Sequence, residues 1–168
     1  QGSPYAIQEY AVDARIGDAL SLLMLKERLG RAGMRLIIDF VPNHFGLDST
    51  EPMRFPARFV HSSEPKPGTF EGEARFGKRY FGHGRDPYFP PWLDTVQLDY
   101  RVVETHDAMT AVAQTASAYA DGLRCDMAML LLPDVFERTW GRRPAPLWAP
   151  AGERARGAGP GSRVKAGG

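Results

Sequence analysis

The fold of this chain is decided by the stretch from Gly33 to His44, Gly-Met-Arg-Leu-Ile-Ile-Asp-Phe-Val-Pro-Asn-His. Its apolar, β-branched run between the glycine and the proline predicts a short strand that is fully buried in a parallel sheet. One carboxylate, Asp39, interrupts the run, and a buried charge requires a partner. Asn43 and His44 follow at the carboxyl end, which is where α/β barrels place their functional residues.

A second stretch, Gly122 to Ala128 (Gly-Leu-Arg-Cys-Asp-Met-Ala), predicts another buried strand with polar residues set into it. Apolar residues recur on one helical face over 16–29 and again over 104–120, so a helix is predicted before each strand. The start of a third helix is predicted near Pro133. Helix followed by buried strand, twice, is typical of a parallel α/β fold, and consecutive parallel strands are usually neighbours.

Strand alternation predicts how the polar side chains of the two strands meet. Successive residues of a strand point to opposite faces. Asp39 and Asn43 therefore lie on one face of the first strand, and Arg124 and Asp126 lie on one face of the second strand. If the strands are neighbours, Asp39 and Arg124 form an ion pair on the inner side of the sheet. Asp126 then lies near Asn43 and His44 at the carboxyl ends, and the adjacent guanidinium favours its ionised form.

The segment between the two strands has a different character. It is rich in proline, glycine and aromatic residues and shows no sustained period, which is unusual for a loop inside a compact domain. We interpret it as an inserted subdomain over the functional end of the sheet. The last 28 residues carry six basic residues and one acidic residue with little apolar periodicity, and we predict that they are disordered. The predicted organisation is barrel segment 1–44, inserted domain 45–98, barrel segment 99–140 and basic tail 141–168.

Composition limits the classes of protein. The 168 residues are 43% hydrophobic, enough for a core but fewer than the roughly 250 of a complete α/β barrel. A net charge of +1 gives no general attraction to nucleic acid or acidic membranes. No long apolar run or signal-peptide pattern is present, which favours a cytoplasmic location. The single cysteine, Cys125, excludes an internal disulfide and is predicted to be an inert core thiol.

Three motifs carry a resemblance to a known family. Residues 39–44 and 122–128 resemble the first two of the four conserved regions of the α-amylase superfamily of glycoside hydrolases. Residues 92–100 are similar to the short region near the end of that family's inserted domain B. The resemblance covers roughly residues 3–141. It implies an incomplete (β/α)8 TIM barrel in which the two strands are the third and fourth, with 45–98 as domain B.

The resemblance also implies roles for individual residues. Asp126 matches the catalytic nucleophile, which forms a covalent glycosyl-enzyme in a retaining mechanism. Arg124 matches the arginine beside it, and His44 matches the histidine that binds the sugar, so both are expected in the catalytic and substrate-binding set. Asp39 matches the structural aspartate that holds the arginine. Asn43 matches a position that binds calcium in many members.

Departures from the family pattern limit which branch of the family this sequence resembles and which of the family's site residues it contains. Met129 and Leu130 stand where typical α-amylases have Lys-His, which favours the glucosidase, sucrose-acting, trehalose-forming or maltosyl-transferring branches. Gln97 stands where some members have an aspartate ligand, so no cofactor is expected to be required. The family's general acid, a glutamate on the fifth strand, has no match, because Glu153 is the only carboxylate after Glu137 and lies in the tail.

Two functions therefore remain open from the sequence. One is a fragment of a glycosidase or glucosyltransferase that acts on an α-glucan, an oligosaccharide or a sucrose- or trehalose-type sugar, and whose isolated chain is inactive. The other is a non-catalytic truncated or frameshifted relative that at most binds sugar. Without the resemblance, Asp126 is equally well explained as a structural carboxylate paired with Arg124. Asp39, Asn43 and His44 also have the chemistry of metal ligands, although no further cluster completes a site.

Overall fold

The computed structural model describes residues 3–74 and 77–144. The predicted basic tail therefore lies outside the described residues from position 145 onward. In chain order the helices and strands are α1 (Ala19–Arg31), β1 (Ile37–Phe40), β2 (His44–Gly46), α2 (Glu51–Arg54), β3 (His61–Ser62), β4 (Thr69–Ala74), β5 (Gly77–Gly82), β6 (Thr95–Gln97), α3 (Val103–Tyr119), β7 (Gly122–Cys125) and α4 (Pro133–Trp140).

The two predicted strands pair in parallel. In this pair Ile37 lies opposite Gly122 and Phe40 lies opposite Cys125. Helix α1 precedes β1 and helix α3 precedes β7, so the predicted repeat of helix and strand is confirmed. These two strands are the only parallel pair in the described part of the chain, and they do not close into a barrel.

The segment between the parallel strands contains two small antiparallel sheets. Strand β2 pairs with β6, and β3, β5 and β4 form a three-stranded sheet in that order. The sequence predicted a folded subdomain here but not its strands, which are two to six residues long and too short to show a clear period. Because β2 follows β1 after only three residues, the β2–β6 pair lies directly at the carboxyl end of the parallel pair.

The hydrophobic core joins this inserted segment to the second half of the chain. It is built mainly of aromatic side chains that are at most 5% exposed, and several stack edge to face, such as Phe45 on Phe59 and Tyr100 on Phe136. Arg85 of the insert lies over the Trp140 ring of α4 and donates to the Thr139 carbonyl at 2.8 Å. The insert and α4 are therefore packed as one unit.

The face formed by α1 and the start of β1 is far more exposed than predicted. Helix α1 has no buried residue, and Ile37, expected in the centre of a buried strand, is 64% exposed. The physical reason is that α1 packs mainly on α3 and β1 pairs only with β7 among the described residues. The prediction that Leu36–Val41 is buried throughout is wrong for Ile37 and Asp39 and correct for Phe40 and Val41.

Local signals explain the ends of the helices. Asp18 caps α1 by accepting from the Ser21 backbone, and the Ser21 hydroxyl accepts from the Asp18 backbone in return, so the helix begins three residues later than predicted. Helix α4 begins at Pro133, as predicted, and ends at Trp140, followed by Gly141 in the left-handed conformation. Arg143 lies 3.3 Å from Glu137 of α4. None of the described helices is both long and apolar enough to cross a membrane.

Candidate functional site

One guanidinium joins the two parallel strands. Arg124 Nη1 lies 3.0 Å from Asp39 Oδ1, and Arg124 Nη2 lies 3.1 Å from Asp126 Oδ1. The ion pair predicted between Asp39 and Arg124 is therefore confirmed, and Asp126 is bonded to the same cation. The Asp39–Arg124 ion pair is more exposed to solvent than expected, since the side chains of Arg124 and Asp39 are 54% and 49% exposed. The side chain of Asp126 is only 12% exposed.

The backbone around Asp126 makes a sharp turn. Its N–H donates to the Phe40 carbonyl at 2.8 Å, which extends the ladder of the parallel pair by one residue beyond β7. The next residue, Met127, has φ = 52°, and it is the only non-glycine residue with positive φ in the described ranges. A side chain disfavours this conformation, and such strain concentrates at functional sites. Chain direction thus changes immediately after the carboxylate.

Two tyrosine hydroxyls hold the chain where β1 ends. The Tyr10 hydroxyl donates to the Val41 carbonyl at 2.8 Å and accepts from the Val41 N–H at 3.0 Å. The Tyr100 hydroxyl donates to the Pro42 carbonyl, and burial raises the pKa of Tyr100 well above its usual value. The two hydroxyls satisfy buried backbone groups that no strand reaches and so position the Asn43–His44 pair that follows.

Replacing Tyr10 with phenylalanine tests this anchoring. The variant is expected to lose about 1–3 kcal/mol of unfolding free energy, because the N–H and C=O of the fully buried Val41 lose a partner. Urea denaturation followed by circular dichroism measures the change. Tyr88→Phe is the matched control, since Tyr88 is 74% exposed and its change is expected to stay within about 0.5 kcal/mol. Equal losses in the two variants would contradict the anchoring role.

His44 is the first residue of β2. The residue is 4% exposed, and its ring lies 5.4 Å from the Trp92 ring. Burial lowers the pKa of His44 below its usual value, while the charges of Asp126 and Asp94 and a hydrogen bond with the Tyr5 backbone oppose that shift. Of these influences, the charge of Asp126 opposes the effect of burial most strongly.

Gly84 allows this close packing around His44. A Cβ at position 84 would lie 2.6 Å from the Thr95 hydroxyl oxygen and 3.3 Å from the His44 Cβ. Any side chain there would have to displace β6 or His44. The inserted segment therefore approaches the end of the parallel pair as closely as the backbone allows.

Tyr5 belongs to the site and was missed by sequence reasoning. The Arg124 guanidinium carbon lies 5.2 Å from the centre of the Tyr5 ring. Hydrogen bonds to Asp39 and to the Tyr5 side chain raise the pKa of Arg124. Tyr5 lies in a stretch without helical or strand period, so nothing in the pattern of residues 1–15 indicated it; its only signal was an aromatic residue beside Pro4.

Cys125 corrects a second prediction. It was expected to point towards the helices as a buried thiol, but it is exposed. The reason is the same as for Ile37: β7 pairs on one side only within the described ranges, so its outer side chains have little to pack against.

Asn43, predicted as a calcium position, lies between His44 and Gln97. It is 1% exposed, and its side-chain amide hydrogen-bonds that of Gln97. The described ranges contain no group of three or more His, Cys, Asp or Glu side chains placed to hold a metal ion. The site as a whole is thus a carboxylate held by an arginine, beside a buried imidazole and two aromatic rings. Such a group can attack an electrophilic carbon and can bind a polar ring compound.

Comparison with known proteins gives matches to solved structures. No protein-family model and no curated protein matches the sequence. An α-amylase from Lactobacillus plantarum is 24% identical with a TM-score of 0.61, covering 83% of this chain and 30% of that one. A noncanonic maltogenic α-amylase from Thermotoga neapolitana is also 24% identical, with a TM-score of 0.57 and the same coverage. Isomaltulose synthase from Klebsiella sp. LX3 is 16% identical with a TM-score of 0.57, covering 75% and 25%.

At these identities the matches establish the fold alone. The chain spans 25–30% of the length of these three proteins, and its single parallel pair fits part of a barrel rather than a closed one. The resemblance drawn from residues 39–44 and 122–128 is confirmed at this level. The chain shares its fold with part of the glycoside hydrolases of the α-amylase superfamily.

Proposed function

We propose that this chain is part of a retaining glycoside hydrolase or transglycosylase that acts on α-glucosidic bonds, with Asp126 as the nucleophile. The observation that carries the proposal is the single guanidinium of Arg124, bonded to Asp39 on one strand and to Asp126 at the end of the next. This arrangement places a largely buried, charge-stabilised carboxylate at the carboxyl end of a parallel pair, where barrel enzymes carry out their chemistry.

The bonding pattern suggests how the carboxylate reacts. Arg124 holds Asp126 through Oδ1, which fixes the orientation of the carboxylate plane. Attack of Oδ2 on the anomeric carbon forms a glycosyl ester as the bond to the leaving oxygen breaks, and water or an acceptor hydroxyl then releases the sugar. Arg124 stabilises the carboxylate before attack and again when the ester is cleaved. Asp39 acts on the substrate only through Arg124.

The surroundings support a sugar ring as the ligand. Tyr5 and Trp92 present aromatic faces beside Arg124 and His44, and aromatic faces pack well against the apolar face of a pyranose. We propose that His44 and Arg124 bind sugar hydroxyls here. Two solved structures similar to this chain are complexes of a protein with isomaltulose and with sucrose, which supports a small α-glucoside as the ligand class.

We also propose that residues 45–98 correspond to the inserted domain B, which in this chain extends from Phe45 to Leu98, the residue after β6. Its support is the position of the β2–β6 pair, which follows β1 directly and carries His44 at its edge. Met129 and Leu130, in the turn after Asp126, favour the glucosidase, sucrose-acting, trehalose-forming or maltosyl-transferring branches over starch hydrolysis. In this arrangement the insert supplies part of the wall of the sugar site.

Covalent labelling tests the proposal. 5-Fluoro-α-D-glucosyl fluoride needs no proton donor, because fluoride leaves unassisted, and its ring fluorine slows hydrolysis of the ester. Mass spectrometry of the treated chain is expected to show one fluoroglucosyl group, on the peptide that contains Asp126. Asp126→Asn is expected to remain unlabelled, whereas the control Asp134→Asn, at an exposed carboxylate of α4, labels normally.

Other outcomes discriminate between the two functions. Labelling of a different carboxylate, or equal labelling in Asp126→Asn, would contradict the assignment of the nucleophile. Absence of label together with saturable quenching of tryptophan fluorescence by glucose or maltose would favour the non-catalytic sugar-binding relative.

A further inference from the structure

The fold family implies a calcium ion at Asn43, and the donor set at this position does not fit one. Calcium takes six to eight oxygen ligands, usually including carboxylates. Here Asn43 Oδ1 accepts from Gln97 Nε2 at 3.1 Å, so an N–H group points at the oxygen that a cation would need. Gln97 is fully buried and neutral. A cation at this place would meet an amide hydrogen instead of a carboxylate.

The orientation of the Gln97 amide is determined by its neighbours. Gln97 Nε2 also lies 2.9 Å from the Asn43 backbone carbonyl and 3.1 Å from the Leu98 carbonyl, so its two hydrogens are shared among these two carbonyls and Asn43 Oδ1. Backbone carbonyls only accept hydrogen bonds, so the NH2 group of Gln97 must face them. Its carbonyl oxygen then faces Asn43 Nδ2, at 3.3 Å. The reverse orientation would place an oxygen against two acceptors in a site without exposed surface.

The orientation of Gln97 in turn determines that of Asn43 and of the ring beside it. Because Asn43 Oδ1 faces the Gln97 NH2 group, Asn43 Nδ2 is the atom that faces His44 Nδ1, at 3.2 Å. Nδ2 is a donor, so Nδ1 of the neutral imidazole must be the acceptor and its proton must be on Nε2. The hydrogen bond between the ring and the Tyr5 backbone stabilises the protonated ring, which is the effect of a ring N–H donating to a carbonyl.

We propose that Gln97 is a positioning residue that occupies the place of a metal ion and, through Asn43, keeps the proton of neutral His44 on Nε2. The relay joins β6 of the inserted segment to the residues that follow β1. Its meaning for sugar binding rests on the proposed function, because it makes His44 Nε2 the ring nitrogen that donates.

Nuclear magnetic resonance of the imidazole nitrogens tests the relay directly. At pH 8 the long-range nitrogen–proton spectrum of the wild-type chain is expected to show His44 as the Nε2–H tautomer, with assignment by loss of its signals in His44→Gln. In Gln97→Glu an oxygen takes the place of the NH2 group, so Asn43 Oδ1 loses its donor and the Asn43 amide is no longer held in one orientation. The expected result is a mixture of the two His44 tautomers in place of the single Nε2–H form.

Control measurements keep the proposal testable if the variant is unstable. Gln97→Met has a similar size without polar atoms and is expected to give a mixture of tautomers. The wild-type spectrum is decisive by itself, because a major Nδ1–H form would overturn the proposal. The melting temperature of the wild-type chain is expected to be the same in calcium chloride and in EDTA, and stabilisation by calcium would also overturn it. None of these measurements involves a sugar, so their failure leaves the labelling of Asp126 unaffected.

Discussion

Prepared as the 168-residue chain, the protein is expected to show no multiple turnover of maltose or of 4-nitrophenyl α-D-glucoside. Retaining hydrolysis needs two carboxylates about 5–5.5 Å apart, one to attack and one to protonate the leaving oxygen. Asp126 supplies the first. Asp39, the other carboxylate on Arg124, accepts a hydrogen bond from that guanidinium and is therefore committed to Arg124. Loss of general acid catalysis alone typically costs 10²–10⁴-fold in rate.

The measurement is release of nitrophenol over many equivalents of substrate. Nitrophenolate needs little protonation, so release of one equivalent as Asp126 becomes glycosylated agrees with the proposal. Steady release that disappears in Asp126→Asn would show that a proton donor is present in this chain and would overturn the prediction. Steady release that persists in Asp126→Asn indicates a contaminating glucosidase, and the preparation is then repurified before the assay is repeated.

Substitutions within β1 are expected to differ greatly in their effect on stability. Phe40→Ala is expected to cost about 3–5 kcal/mol of unfolding free energy, because Phe40 is fully buried and packs on Tyr10 with ring centres 5.8 Å apart. Ile37→Ala, three residues earlier in the same strand, is expected to change stability by only about 0.5 kcal/mol, because Ile37 is 64% exposed. The sequence pattern by itself predicts a large loss at both positions.

Urea denaturation of the two variants beside the wild type gives both values. A loss of several kcal/mol in Ile37→Ala would mean that the outer edge of β1 is covered in solution, for example by a second chain. The concentration dependence of the unfolding midpoint distinguishes that case from a change within one chain.

The parallel pair and its ion pair were predictable from sequence because they depend on local rules. Alternation along a strand and the adjacency of consecutive strands suffice to bring Arg124 onto Asp39, and both rules are independent of the rest of the fold. Asp126 follows from the same reasoning, since its position two residues after Arg124 fixes its side of the sheet. The resemblance in residues 39–44 and 122–128 added the roles of these residues but not their geometry.

The burial of the β1 side chains, the contact between Tyr5 and Arg124 and the strands of the insert were not predictable in the same way. An apolar run indicates that a strand can be buried, but exposure depends on which other elements cover it, and Ile37 has no such cover within the described residues. Tyr5 reaches Arg124 from a distant, aperiodic stretch, and only the folded path of the chain brings it there. The strands of the insert are stabilised by pairing with one another. They are too short for the periodicity of hydrophobic residues to predict them.

The exposed position of Cys125 provides a natural site for attaching a fluorescent probe. The chain has a single thiol, and that thiol belongs to the residue directly before Asp126. A maleimide fluorophore therefore attaches at one place only, beside the candidate nucleophile and without any engineered substitution. Changes in its emission when a sugar is added record events at the end of β7, whereas binding elsewhere on the surface leaves it unaltered. The same thiol allows two chains to be joined at this edge by a bifunctional crosslinker, which gives a direct measure of how closely two copies approach there.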